Sequence, residues 1–306
     1  MTANSARPQE AERLARQLEL TVSQRLDGLL RGDHLGILPG PGWEVGEARP
    51  YAPGDDVRRI DWSLTARAGD IHVRDTIVER ELETIVVADF SPSVAYGTAM
   101  YEKRELALAA AAAVGFLTAR TGGRLGAAVL KPDAMVYVPP RTGRAHVVTL
   151  LEKFAAVEPV DGSGRADLKA GLRAAGRLAR RRGLVCVVSD FIHEPGWERS
   201  LRVLSQRHEV LAIELVDPRE LELPNVGDVD LVDPASGRQL SVSTGSSNLR
   251  ERFASAAAAQ REEIAAAVRG AGAGHLVLRT DRDWVLDVVR FVMRRRRANA
   301  LSSGAR

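Results

Sequence analysis

The stretch Asp89-Phe90-Ser91-Pro92-Ser93 puts one carboxylate and two hydroxyls on a short turn directly after the apolar run Ile85–Ala88. A second aspartate, Asp190, ends the apolar run that begins at Leu184. Hard divalent cations of the Mg²⁺ or Mn²⁺ type take oxygen ligands. Two strand-end carboxylates with two hydroxyls two residues apart are a partial shell for such an ion, with waters to complete it. The same residues have a plainer reading, in which Ser91 or Ser93 caps a following helix and Asp89 accepts hydrogen bonds from loop amides.

Catalysis is less well supplied. A serine nucleophile needs a nearby base, and among the six histidines only His193, three residues after Asp190, falls at the same edge. There is no G-x-S-x-G elbow and no G-x-x-x-x-G-K-S/T phosphate loop. An aspartyl phosphate on Asp89 would want a second acid two residues later, where Ser91 stands. The enzyme reading that survives is a metal-dependent hydrolase in which Asp89 and Asp190 hold a water-activating ion.

The elements that must position these groups alternate. From Thr84 onward the sequence predicts strands at Ile85–Asp89, Leu125–Leu130, Met135–Val138, Leu184–Phe191, Glu209–Val216 and His275–Leu278. Between them it predicts helices at Tyr101–Arg120, His146–Phe154, Ala166–Arg182, Trp197–Gln206 and Leu249–Val268, with a closing helix at Asp281–Arg297. Asp228–Ser243 reads as a hairpin turning at Pro234–Gly237. Continuous apolar strands alternating with helices predict an α/β fold, a mainly parallel sheet covered on both faces. In such sheets ligands sit beyond the carboxyl ends of the strands, where the strand order reverses. If the strands ending at Asp89 and Asp190 are neighbours, their carboxylates meet there.

Ahead of this lies a helical stretch within residues 11–31, then a Gly- and Pro-rich run, Gly32–Trp43, that reads as turns and short strands. Tyr51–Arg74 is dense in charge, with Asp55, Asp56 and Asp61 alternating with Arg58, Arg59 and Arg67 around Ile60 and Trp62. Such a set makes either a structural ion network or a docking surface, since Arg and Trp are enriched in binding hot spots.

The chain has 306 residues, 45% of them hydrophobic, enough for a substantial core. A net charge of +3 does not point to nucleic acid. Cys186 is the only cysteine, so no internal disulfide forms and a reducing, cytoplasmic setting is expected. Charges interrupt the N-terminus, against a signal peptide, and the most apolar stretch, Leu106–Ala119, is too short and too alanine-rich to span a membrane.

The run Y-A-P-G-D-D-V-R-R-I-D-W-S-L-T-A-R, with Tyr51, Gly54, Asp55, Asp56, Arg58, Asp61, Trp62 and Arg67, resembles the bacterial family grouped as domain of unknown function 58. V-A-D-F-S-P-S is similar to the D-x-S-x-S of a metal-ion-dependent adhesion site, and S-D-F at Ser189–Phe191 to the family's later strand-end aspartate. The resemblance covers roughly residues 32–278. It implies a Rossmann-like von Willebrand factor A domain over 84–280, preceded by an N-terminal helix (1–31) and a small β-rich segment (32–83) and followed by a C-terminal helix and tail (281–306). It also implies Asp89, Ser91 and Ser93 as first-loop metal ligands, Asp190 as the third-loop acid, and Mg²⁺ or Mn²⁺ as the ion. The middle loop of such a site offers a threonine. Here Ala166 takes that position, which leaves the site degenerate unless Asp167 or Ser163 substitutes. Family members are typically encoded beside MoxR-type AAA+ ATPases. The expected function is therefore a non-enzymatic adaptor binding such an ATPase or its client protein, with the metal-dependent hydrolase and a metal-free scaffold as alternatives.

Overall fold

Helix α1 (Ala6–Thr21) passes into a single π-helical turn at Val22–Leu26. The computed structural model describes residues 6–26, 48–53, 55–57, 60–74, 82–157 and 164–303. The turn-rich run 32–43, Gly54, Arg58 and Ser163 lie outside the described residues. The chain divides into two compact units, Pro39–Glu81 and the remainder.

In the smaller unit, strand β1 (Ala48–Pro50) pairs antiparallel with β2 (His72–Arg74), and Ile60 bridges to Val73. Between them stands helix α2 (Trp62–Ala68). A β-rich segment was the expectation, yet this helix is longer than either strand. Local chemistry explains it. The Asp61 carboxylate accepts from the backbone N–H groups of Ser63 and Leu64, and Gly69, at φ 82°, closes the far end.

The larger unit is built on a six-stranded sheet. Its elements run β3 (Glu83–Asp89), α3 (Lys103–Arg120), β4 (Arg124–Leu130), β5 (Met135–Thr142), α4 (Arg144–Ala155) and α5 (Leu168–Leu178). They continue with β6 (Leu184–Ser189), α6 (Trp197–Ser205) and β7 (Glu209–Val216). The hairpin β8 (Asp228–Val232) and β9 (Gln239–Ser243) follows, then α7 (Ser247–Gly270), β10 (Gly274–Arg279) and α8 (Trp284–Ser303). The strand order is β10-β7-β6-β3-β4-β5, with β5 antiparallel to β4 and the other pairings parallel. Counting only the strands of this sheet, that is the doubly wound order 3-2-1-4-5-6, and it reverses between β3 and β6.

The sheet lies between two apolar layers, because successive strand residues point to opposite faces. Val86, Ala88, Cys186 and Val188 belong to the apolar layer formed with the alanine-rich α3, α4 and α8, and α1 packs over α3 and α4. Ile85, Val87, Val185 and Val187 meet α5, α6 and α7. Both faces are covered, as the continuous apolar runs require. Alanines let α3 lie close to the sheet, and α4 in turn packs so tightly that a Cβ on Gly115 would come within 2.9 Å of Val147 Cγ1. This is the expected Rossmann-like α/β architecture, a mainly parallel sheet with helices on both faces. No described helix is long and apolar enough to cross a membrane.

Candidate functional site at the strand ends

β3 and β6 are hydrogen-bonded neighbours, in register from Thr84–Leu184 to Ala88–Val188. Asp89 and Asp190 therefore emerge side by side at the carboxyl edge, where the strand order reverses. Both are fully buried. After β6 the chain turns sharply. Phe191 adopts a left-handed conformation, φ 58°, unusual for a bulky residue. Its ring is held against Trp197 at 5.1 Å. The turn carries His193 back over the strand ends, next to Asp89.

The Asp89 carboxylate is saturated. Its Oδ1 accepts from the Ser91 N–H at 2.9 Å and the Ser91 hydroxyl at 2.5 Å. Its Oδ2 accepts from the Ser189 hydroxyl and from His193 Nε2, both at 2.8 Å. His193 Nδ1 faces the Ala166 carbonyl at 3.0 Å. Both ring nitrogens lie within hydrogen-bond distance of an acceptor, and Nε2 also lies 3.0 Å from the Ser189 hydroxyl. Burial works against a charged ring, but the hydrogen bond and charge of Asp89 outweigh it and raise the His193 pKa above its ordinary value.

Asp190 is held by a different cation. Its Oδ1 accepts from the Ile192 N–H at 3.0 Å, its Oδ2 from the Lys103 ammonium at 3.1 Å, and Ser93 adds a side-chain hydrogen bond. Lys103 is wholly buried and also reaches Glu220 at 2.6 Å. Its Nζ lies 5.8 Å from the Tyr96 ring centre, the outer limit of a cation–π contact. Burial lowers an ammonium pKa, but Asp190 and Glu220 overturn this and raise it. Burial would raise the Asp190 pKa, and Lys103, then His193, hold it below the carboxylate range.

Lys103 is the first residue of α3, a helix opened by a reciprocal Glu102/Glu105 capping box. A positive charge at a helix N-terminus is unfavourable toward the helix dipole, so the carboxylates, not the helix, account for its placement. Glu220 is presented by the Asp217–Glu220 turn. There Asp217 takes hydrogen bonds from the Thr98 N–H at 2.8 Å, the Thr98 hydroxyl at 2.6 Å, the Thr280 hydroxyl at 2.7 Å and the Arg219 N–H at 2.9 Å. These bonds tie the loops after β3, β7 and β10 together. They outweigh the effect of burial, and the Asp217 pKa falls below its usual range.

Of the expected ligands, the structure brings Asp89, Ser91, Ser93 and Asp190 to one place. Asp167 is used elsewhere, as the N-cap of α5 accepting from the Ala170 N–H at 2.8 Å. Ala166 is where the expected threonine is missing, and its carbonyl serves His193 instead. The plainer capping reading of Ser91 and Ser93 is corrected as well. Ser91 makes no side-chain cap bond to the 3₁₀ turn Pro92–Val94, and α3 begins only at Lys103. Sequence reasoning missed Lys103, Ser189 and Glu220.

The donor set can be tested against a divalent ion. Asp89, Asp190 and His193 bring ligand-type atoms within 4.8 Å of one another. As placed, they do not fit one. Each of the four carboxylate oxygens already accepts from a protein donor, and His193 Nε2 is engaged with Asp89. At an effective dielectric of about 20, an ammonium roughly 4 Å from a divalent ion repels it by about 8 kcal/mol, cancelling what one carboxylate at that distance would contribute. Lys103 thus offsets one of the three carboxylates Asp89, Asp190 and Glu220.

Outside this network a small cleft of about 130 Å³ opens, lined by Ser91, Ser93, Arg165, Ile192, His193 and Glu220, among others. Arg165 is partly exposed at its mouth, 3.6 Å from the exposed Glu194. The hairpin tip borders the cleft, where the Gly164 N–H donates to the Pro234 carbonyl.

In the smaller unit, among the described residues, Asp55 is paired in a bidentate manner with Arg49, both contacts at 2.7 Å. Asp55 also accepts from the Ala52 N–H. Asp61 is a helix cap and Arg67 bonds the Ser63 carbonyl and hydroxyl one turn back. Tyr51 is half-buried, Asp56 is exposed and Trp62 is 71% exposed.

Compared with known proteins, residues 47–263 match the family model described as "Protein of unknown function DUF58". The chain belongs to the DUF58 family. This DUF58 chain is 54% identical over 284 residues to the uncharacterized protein Rv1480 of Mycobacterium tuberculosis, covering 92% of its own length and 89% of the relative. It is 46% identical over 165 residues to the uncharacterized protein MAV169 of Mycobacterium avium, 53% of this chain and 96% of that one. Among solved structures it is similar to BatB from Bacteroides thetaiotaomicron, at 13% identity and TM-score 0.42 over 71% of this chain and 99% of that one. It is also similar to the SpRpn10 VWA domain, at 12% identity and TM-score 0.38 over 68% and 94%.

Proposed function

We propose that this DUF58 protein is a non-enzymatic adaptor that docks another protein on the face formed by the carboxyl ends of β3 and β6. A MoxR-type AAA+ ATPase, or the client protein of one, is the partner that the family resemblance implies. One observation carries the reading. The reactive groups at the strand ends are engaged with one another, and what stays open is a cleft large enough for one side chain and well below the ~300–1,000 Å³ usual for small-molecule sites. The carboxylate oxygens of Asp89 and Asp190, which would have to hold the water-activating ion of a metal-dependent hydrolase, already accept from protein donors, which speaks against that alternative. Arg165 at the mouth, with hydroxyls and the His193 ring below, suits an acidic side chain of the partner.

A site-directed crosslink tests this. Cys186 is buried, so Arg165→Cys supplies the accessible thiol for a photo-crosslinker. The adduct expected is with the purified ATPase, and none from Arg269→Cys on α7. An adduct from position 269 but not from 165 contradicts the proposed face. Turnover of generic phosphate or ester substrates, abolished by Asp89→Asn, would restore the hydrolase.

A further inference from the structure

We infer that the strand-end site of this chain is closed by its own side chains, with the Lys103 ammonium on Asp190 and Glu220 and the His193 ring on Asp89 where an adhesion site of this kind would hold a divalent ion, so that the face is formed without metal. The inference deepens the adaptor reading, resting on it only for what the face is used for. The charge arrangement stands on its own geometry.

Three independent features converge. First, the Lys103 ammonium is wholly buried and bridges two carboxylates from different loops, Asp190 at 3.1 Å and Glu220 at 2.6 Å. A lysine almost never reaches full burial unless it is paired, and nothing in α3 itself calls for a cation at its first residue. Second, His193 sits on the Asp89 oxygen that a first-loop ligand would turn toward an ion, and its other nitrogen is spent on Ala166. Where the resemblance implies a threonine, Ala166 offers only its backbone carbonyl, and that carbonyl orients the His193 ring. Third, the polar side-chain atoms of this network all have partners; the buried atoms lacking one, among the described residues, lie elsewhere. A site awaiting an ion would leave carboxylate oxygens facing one another, whereas here each has its donor.

The groups around Lys103 and His193 come from the loops after β3, β6 and β7, together with α3 and the 164–167 loop. They are Asp89, Asp190, Glu220 and Tyr96, with the Ser189 and Ser91 hydroxyls between them. An ion entering this set has to displace the His193 ring from Asp89 and tolerate Lys103. Taking away Lys103 removes that obstacle and leaves Asp190 and Glu220 uncompensated, which turns the network into an oxygen-rich cation site.

The test uses the isolated full chain and Mn²⁺ alone, read by electron paramagnetic resonance and by thermal shift. Wild type is expected to bind no stoichiometric Mn²⁺ at millimolar ion and to keep the same Tm in Mn²⁺, Mg²⁺ or EDTA. Lys103→Met is expected to gain at least about tenfold in Mn²⁺ affinity, from loss of the nearby positive charge, and to be stabilised by the ion. Lys103→Arg, which keeps the charge, is expected to stay silent. One tightly held Mn²⁺ per wild-type chain, lost in Asp89→Asn, overturns the inference without any variant of Lys103 having to fold. A folded Lys103→Met that ignores Mn²⁺ overturns it too. No partner enters the measurement, so failure to find the ATPase leaves this result untouched, and the converse also holds.

Discussion

Replacing Lys103 with methionine removes a charge but keeps most of the side-chain volume. Lys103 and Asp190 are both 0% exposed, whereas Glu220 retains 18%. Glu220 can turn to water, so the cost falls on Asp190, left as a buried carboxylate with no cation. Breaking one partner of a buried pair costs about 3–5 kcal/mol, and at neutral pH we expect that loss in urea denaturation. Asp190→Asn alone leaves the ammonium with Glu220 and is expected to cost less, about 2 kcal/mol. The double variant Lys103→Met/Asp190→Asn is then expected to lose about 2 kcal/mol less than the sum of the single losses, the range found for groups in direct contact. The sign with pH is fixed. In wild type the Asp190 pKa is lowered on folding, so its stabilisation is present above the unfolded value of about 3.9 and is lost as pH falls through the folded pKa. In Lys103→Met burial, which raises the pKa, is opposed only by His193 and the Ile192 and Ser93 hydrogen bonds, so the folded pKa lies higher than in wild type. The deficit of that variant should therefore be greatest at high pH and shrink as pH falls through the raised value. A loss below about 1 kcal/mol at neutral pH, or strictly additive single variants, would refute the buried-pair reasoning.

Other expectations follow from the same geometry. Asp217→Ala strips the acceptor from the Thr98, Thr280 and Arg219 donors, and about 3 kcal/mol of stability should go with it. Because the Asp217 pKa is depressed on folding, the gap from wild type should be full above about pH 3.9 and close as pH falls through the folded value; a gap that widens in acid contradicts this. Asp61→Ala removes the cap of α2 and should cost about 1 kcal/mol locally, seen as faster hydrogen exchange at Ser63 and Leu64, with Asp61→Ser largely restoring protection.

Much of the site was legible in the sequence because the sheet is buried on both faces. Continuous runs such as Leu184–Val188 cannot be amphipathic, so they marked β3 and β6, and the aspartates ending them marked the carboxyl edge. That the two strands are neighbours is a matter of topology, and only the pairing of Ala88 with Val188 settles it. Lys103 carried no local signal, since Glu102-Lys103-Arg104-Glu105 reads as a solvated helix start. It is buried because α3 begins beneath loops that come from residues 190 and 217–220. His193 was visible as the histidine nearest the edge, but its hydrogen bond to Asp89 depends on the left-handed turn at Phe191. Ala166 announced a missing hydroxyl, while the use of its carbonyl could not be read from a side chain. Helix α2 escaped notice for a different reason. It buries no residue and so shows no apolar period, although Asp61 and Gly69 bracket it with ordinary caps.

The most direct test of the account is the binding of the full chain to the purified MoxR-type ATPase from the same genome, followed on a biosensor in Mg²⁺–nucleotide. Wild type should bind, Arg165→Glu should bind at least about fivefold more weakly through a slower association, and Arg269→Glu, an exposed reversal on α7, should bind as wild type does. Equal binding by all three variants, or loss confined to Arg269→Glu, would contradict docking at the strand-end face.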